Sequence, residues 1–277
     1  MRALHRMRVA SRRLRELIPI LQLDRDVARK LGRRLRRVTD QLGSVRELDV
    51  LIVLLDELHE SSRYHEGGLS RVSAEVARHR DEARKSLAAK LPKEKLSRIV
   101  TKLEHIGGAN STVAATANGR QHTMRRWAVE ARIASRAERL AEAIREAGAM
   151  YLPDRLHAVR IAVKKVRYSV ELAADIAGEK TTPDLRTLTH AQDVLGRMHD
   201  LQVLIDRVRQ IQAAASADIR AERELEAIVD TLENDCRRLH ARYVRDRAAL
   251  LTICARSAAR AQAPSARRVA LRRAKAS

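Results

Sequence analysis

The sequence contains no phenylalanine, one tryptophan (Trp127) and four tyrosines, so aromatic residues make up 2% of its 277 positions. A core without large rings has to be assembled from Leu, Val, Ile, Ala and Met. That suits closely packed helices and suits a twisted sheet poorly, because strands favour β-branched and aromatic side chains. Glycine and proline are scarce too, at 10 and 5, which leaves few turn signals. The two cysteines, Cys236 and Cys254, stand far apart with no CxxC. This argues against a disulfide scaffold or a Cys-rich zinc site and favours a reducing, cytoplasmic compartment. No apolar run approaches the ~18 residues of a membrane span, and the N-terminal stretch carries a charge at every turn where a signal peptide has an apolar core. Acid is in short supply: 35 Asp and Glu face 56 Lys and Arg, for a formal charge of +21.

What is present fits a folded, helical chain. Hydrophobic residues make up 45% and charged residues 33%, too apolar a mixture for a disordered tail and long enough to bury a core. The expected fold class is all-α with long helices. Residues 3–18 form an amphipathic pattern through Leu4, Met7, Ser11, Leu14 and Ile18, with Pro19 ending or kinking it. A second helix after Asp24 carries Val27, Leu31, Leu35, Val38 and Leu42 on one face. Gly43 offers a break before Leu48–Leu58, or the helix continues through it. Residues 61–70 read as a loop, 71–90 as helix, and a helical pattern resumes from Pro92. The weakly patterned stretch 107–119 reads as a connection, followed by helices over 120–147, 151–177, 183–214 and 218–255. Residues 256–277 are rich in Arg and Lys and read as a flexible basic tail.

The two halves repeat one another. LHRMRVASRRLREL (Leu4–Leu17) aligns with LHAVRIAVKKVRYSV (Leu156–Val170), so that His5 meets His157, Arg8 meets Arg160, Arg12 meets Lys164, Arg13 meets Lys165 and Arg15 meets Arg167. Downstream, LRRVTDQLGSVRELDVLI (Leu35–Ile52) aligns with LTHAQDVLGRMHDLQVLI (Leu188–Ile205), pairing Asp40 with Asp193, Gly43 with Gly196, Arg46 with His199, and Arg37 with His190. Two motifs in the same order and at nearly the same separation imply duplication of a helical unit of roughly 150 residues. A pseudo-twofold pair of bundles follows, with about 1–115 as the first half and about 120–255 as the second. At ~100° per residue, His5, Arg8, Arg12 and Arg15 share an arc of about 80°, as do His157, Arg160, Lys164 and Arg167. A solvated helix face ordinarily mixes Glu among its cations, because i,i+4 pairs stabilise it. These stripes interleave none, and the same four positions are basic twice, which favours a binding surface for a polyanion. Arg offers a planar fork to phosphate and Lys a point charge. Histidine among such cations is expected to deprotonate easily and to act as a hydrogen-bonding partner.

The paired motifs, LHxxRxAxxxxR and LGxxxxLxVLI, resemble the CHAD domain, the conserved histidine α-helical domain, over nearly the whole span from residue 4 to about 255. The resemblance implies one domain of two antiparallel helical bundles related by pseudo-symmetry, with a basic central groove or pore that binds inorganic polyphosphate. It also implies association with polyphosphate granules in the bacterial cytoplasm. Carried over by position, His5, Arg8, Arg12, Arg15, His157, Arg160, Lys164 and Arg167 would line that surface, with Arg46 and His199 after the LG pair. Arg37 and His190 are basic at matched sites. Asp49 is matched by Gln202, so a symmetric role is not expected there.

Non-enzymatic binding is the expected function, with no cofactor and no metal. The ExExK string of triphosphate-hydrolysing tunnel domains is absent; the nearest string, through Glu222, Glu224 and Glu226, ends in an acid. No HExxH or comparable spacing marks a metal site. Nucleic acid is a secondary partner: a chain of this charge attracts it, but aromatics for base stacking are missing beside the basic stripes except Tyr168. An accessory to a phosphate-ester or polyphosphate-acting enzyme is the further alternative. No membrane association is expected.

Overall fold

Apolar residues at steps of three and four bury one face of a long helix, and that pattern dictates most of the architecture. The computed structural model describes residues 2–18, 23–61, 63–90, 97–98, 100–101, 103–105, 119–178, 182–214 and 219–274. Side chains are described throughout except at 2–5, 8, 12, 16, 119–126 and 261–274. The chain is all-α, and no strand occurs among the described residues. In chain order the helices are α1 (Arg2–Leu17), α2 (Arg25–Glu60), α3 (Glu66–Lys90), α4 (Gly119–Ala147), α5 (Pro153–Ala177), α6 (Pro183–Ala214) and α7 (Ile219–Ala274). Among the described residues, no helix is long and apolar enough to cross a membrane.

The helix ends follow local chemistry. Asp24 caps α2, its carboxylate accepting from the backbone N–H groups of Asp26 and Val27 at 2.9 and 3.1 Å, a device worth about 1 kcal/mol. Pro153 starts α5, where the missing N–H costs nothing. Gly178 ends it at φ 69°, its N–H reaching the carbonyls of Ala174 and Asp175. Gly148 after α4 adopts φ 62°, a left-handed geometry that favours glycine.

Three stretches bear comparison with the sequence. First, of the two alternatives at Gly43 the helix continues: buried residues at steps of three and four (Leu31, Leu35, Val38, Leu42, Val45, Leu48, Leu51, Leu55 and Leu58) run on both sides of the glycine. Second, the loop expected over 61–70 ends early, because α3 begins at Glu66 and includes Gly67 and Gly68. Tertiary packing overrides their low helix propensity: a Cβ on Gly68 would lie 2.7 Å from Ile228 Cδ1, and one on Gly67 3.0 Å from Glu224 Oε2. Third, the backbone of α7 is helical as far as Ala274; alanine and arginine, good helix formers, make up most of residues 256–274, with Pro264 among them. Pro92 and the stretch 107–118 lie outside the described residues.

Two compact units divide the chain. The first comprises Met1–Ala117 and Asp200–Asn234, the second Asn118–His199 and Asp235–Ser277. The first unit therefore contains α1, α2 and α3 with the latter part of α6 and the early part of α7. Within it α1 packs on α2 and α2 on α3; Ile18, Leu31 and Leu35 form a small buried cluster with Leu14, Ala28 and Leu103. In the second unit α4 packs on α5, burying Ala137, Leu140, Ile144, Val159, Val163 and Val166. Aliphatic cores of this kind match the shortage of rings; among the largest side chains with under 2% exposure, only Tyr243 is aromatic. Helices α6 and α7 contribute to both units.

Candidate functional site

On α5 the buried residues Leu156, Val159, Val163 and Val166 turn one face to the core. His157, Arg160 and Lys164 lie at its border, half-buried. α6 brings His199 and Gly196 to the same place. His157 Nδ1 stands 3.2 Å from His199 Nδ1, and the ring centroids are 4.5 Å apart with a tilt of 50°. Two imidazoles meeting through Nδ1 need one donor and one acceptor, so the contact tolerates at most one imidazolium. Gly196 borders Arg160: a Cβ there would be 4.0 Å from its Nε.

The surroundings hold both rings neutral. Burial lowers the pKa of His157 first, then the charges of Arg160 and Lys164, with Asp154 opposing them. His199 is driven down to about 4, again by burial first and then by Arg160, His157 and Lys164. A neutral pair with one Nδ1–H shared between the rings leaves one Nε2–H donor and one Nε2 acceptor. A single added proton converts the acceptor into a second donor. The cluster is therefore cationic and rich in donors.

Arg167 continues the α5 stripe but is committed within the fold. Its Nε donates to Gln192 Oε1 at 2.8 Å, its guanidinium pairs with Glu171 and lies 4.7 Å from the Tyr168 ring centroid. It pins α5 to α6. His190, 65% exposed, lies 3.5 Å from Asp246 Oδ2 on α7. In the first copy, Arg15 and Arg46 are half-buried and Arg37 is exposed, and none of the three forms an ion pair among the described residues. The backbone of α1 carries His5, Arg8 and Arg12, whose side chains lie outside the described residues.

Several partners escape a motif reading. Asp49, 2% exposed, accepts from the Arg84 guanidinium at 3.1 Å and ties α2 to α3, whereas its counterpart Gln202 donates to Asp206 on its own helix. Arg136 of α4 donates to the carbonyl of Lys165 at 2.9 Å and to Ser169 Oγ, clamping α5 beneath its basic stripe. Asp49 carried a signal in its apolar flanks, Val45, Leu48 and Leu51; Arg136, an arginine on an ordinary amphipathic helix, carried none. Among the described residues no group of three or more His, Cys, Asp or Glu is placed to hold a metal ion.

Comparison with known proteins places this arrangement. A crystal structure of the CHAD domain from the plant Ricinus communis superposes with a TM-score of 0.57 at 23% identity, covering 89% of this chain and 80% of that one. At that identity the likeness concerns the fold. No curated protein matches the chain. The family model of the CHAD domain matches residues 1–209, which include both copies of both motifs, and the chain belongs to the CHAD-domain family.

Proposed function

We propose that the protein binds inorganic polyphosphate without chemical turnover, through the related sets of cations that the two repeats carry. The observation that supports this reading best is the α5–α6 cluster, in which Arg160 and Lys164 flank two neutral histidines. Each component matches a need of the ligand. The Arg160 fork donates to two phosphate oxygens and Lys164 adds a point charge. The Nε2 groups of His157 and His199 would supply hydrogen bonds without adding like charge before the ligand arrives. A ligand made only of phosphate needs no aromatic platform. In the first copy His5, Arg8, Arg12, Arg15 and Arg46 do the corresponding work, and Arg37 of the first copy and His190 of the second occupy matched flanking positions. Binding of this kind would carry the protein to polyphosphate granules.

The test is a titration with long-chain polyphosphate near ~0.15 M salt. Affinity falls steeply as salt rises, through release of condensed counterions, and no orthophosphate appears during incubation. Replacing Arg160 and Lys164 together with Gln weakens binding while helicity is retained. Unchanged affinity in that variant would remove the site, and steady release of orthophosphate would make the protein an enzyme.

A further inference from the structure

The first half of α2 carries a second, differently shaped array of charge. Between residues 25 and 37 it bears Arg25, Arg29, Lys30, Arg33, Arg34, Arg36 and Arg37, all exposed. Arg25, Arg29, Arg33 and Arg37 follow one another at four-residue steps, a spacing at which like charges oppose helix formation. Elsewhere the molecule relieves such charges locally: Arg78 pairs with Glu75 and Glu82 on α3, and on α7 Arg220 pairs with Glu224 and Arg238 with Asp235. On this part of α2 the only such pair among the described residues is Arg29 with Asp26.

The angular distribution separates this face from the α5 stripe. Measured from the buried row of Leu31, Leu35 and Val38, Arg25, Arg29 and Arg36 fall at about 120–160° around the helix and Lys30, Arg34 and Arg37 at about 240–300°. Arg33 lies between these flanks. A single flexible phosphate thread can follow a narrow stripe like that of α5, within about 80°, but it cannot meet two flanks at once. A duplex offers two phosphate walls about a major groove ~12 Å wide, which admits a helix ~10–12 Å across. From Arg25 to Arg37 the helix is about 18 Å long, the reach of roughly five base pairs. The apolar face of this segment is packed into the core, so it cannot lie in a membrane interface as an amphipathic anchor. It has no ring on which to stack an unpaired base.

We propose that the exposed face of α2 over residues 25–37 seats in a groove of duplex nucleic acid, its two cationic flanks meeting the phosphates of opposite walls without reading sequence. This surface shares no residue with the α5–α6 cluster, and the proposal stands whether or not polyphosphate binds there.

The experiment uses the full chain and a mixed-sequence 20-base-pair DNA duplex, with affinity measured over a range of salt. The α2 variant carries Arg25→Gln, Arg33→Gln, Arg34→Gln and Arg36→Gln. A control of equal charge carries Arg71→Gln, Arg145→Gln, Arg223→Gln and Arg242→Gln, at exposed cations on other helices. The α2 variant is expected to bind the duplex at least about tenfold more weakly at ~0.1 M salt, with a log–log salt slope shallower by up to about 3.6, at ~0.9 for each phosphate no longer neutralised. The control keeps most of the wild-type slope, and polyphosphate affinity changes less than twofold in the α2 variant. Equal loss in both variants would reduce the effect to net charge and overturn the proposal. So would a parallel loss of polyphosphate affinity, or binding to a single strand of the same length, or to phosphatidylserine vesicles, that exceeds binding to the duplex. Circular dichroism of the variants verifies that the helices persist.

Discussion

The two copies of the repeat keep their cations and differ in what those cations can become. In the second copy the position after the LG pair is His199, in contact with His157 and held neutral beside Arg160 and Lys164. In the first copy the same position is Arg46, half-buried and permanently charged. Three residues further on, Asp49 is buried and braces α3 through Arg84, while Gln202 donates to Asp206 on its own helix. At the position after the LG pair one copy thus carries a histidine whose charge responds to its surroundings and the other an arginine. A motif that aligns residue for residue need not perform the same task twice.

The largest expected effect tests that division at the ligand. Arg160→Gln with Lys164→Gln should weaken polyphosphate binding roughly 100-fold, since charged hydrogen bonds contribute ~1.5–3 kcal/mol each. Arg46→Gln, in the first copy, should cost no more than about tenfold. Equal losses, measured by calorimetric titration, would break the comparison. The next effect concerns stability. Asp49→Ala removes the buried partner of Arg84 and should destabilise the fold by about 1–3 kcal/mol in urea unfolding, with Gln202→Ala within ~0.5 kcal/mol of wild type.

The pH dependence sharpens the difference further. Because the folded pKa values of His157 and His199 lie below the ordinary histidine value of about 6.5, the unfolded chain binds more protons in mildly acidic solution. Their contribution to stability is therefore complete above that value and declines as pH falls toward about 4. Polyphosphate acts in the opposite direction: it offsets the field of Arg160 and Lys164, so binding takes up a proton and tightens several-fold between pH 7 and pH 5. His199→Arg, which gives the second copy the residue of the first, should flatten that dependence. The smallest effect is Gly43→Ala. Among the described residues a Cβ there meets nothing within 4 Å, so the substitution should stabilise α2 by about 0.5–1 kcal/mol.

Much of the fold could be read in advance because its determinants are periodic. Buried residues from Leu31 to Leu58 recur at steps of three and four along α2, and the shortage of rings left helices as the natural way to build a core. What escaped reading depended on neighbours distant in sequence. Gly67 and Gly68 read as a loop until Ile228 and Glu224 are seen against them. Arg167 reads as a ligand-facing cation until Gln192 and Glu171 are found holding it. At the site, the spacing His157, Arg160, Lys164 is visible in the sequence and explains part of the neutral state of the histidines. The larger cause is burial, together with the approach of His199 from another helix, and no spacing along one segment encodes either.

The central claim is that phosphate settles beside the α5–α6 histidine pair, and nuclear magnetic resonance titration of the His157 and His199 ring protons tests it most directly. With saturating polyphosphate, the apparent pKa of His199 should rise from about 4 toward the ordinary imidazole range, and His157 should move with it. If both titration curves stay where they are in the free protein while polyphosphate is demonstrably bound, the ligand sits elsewhere and the account is wrong.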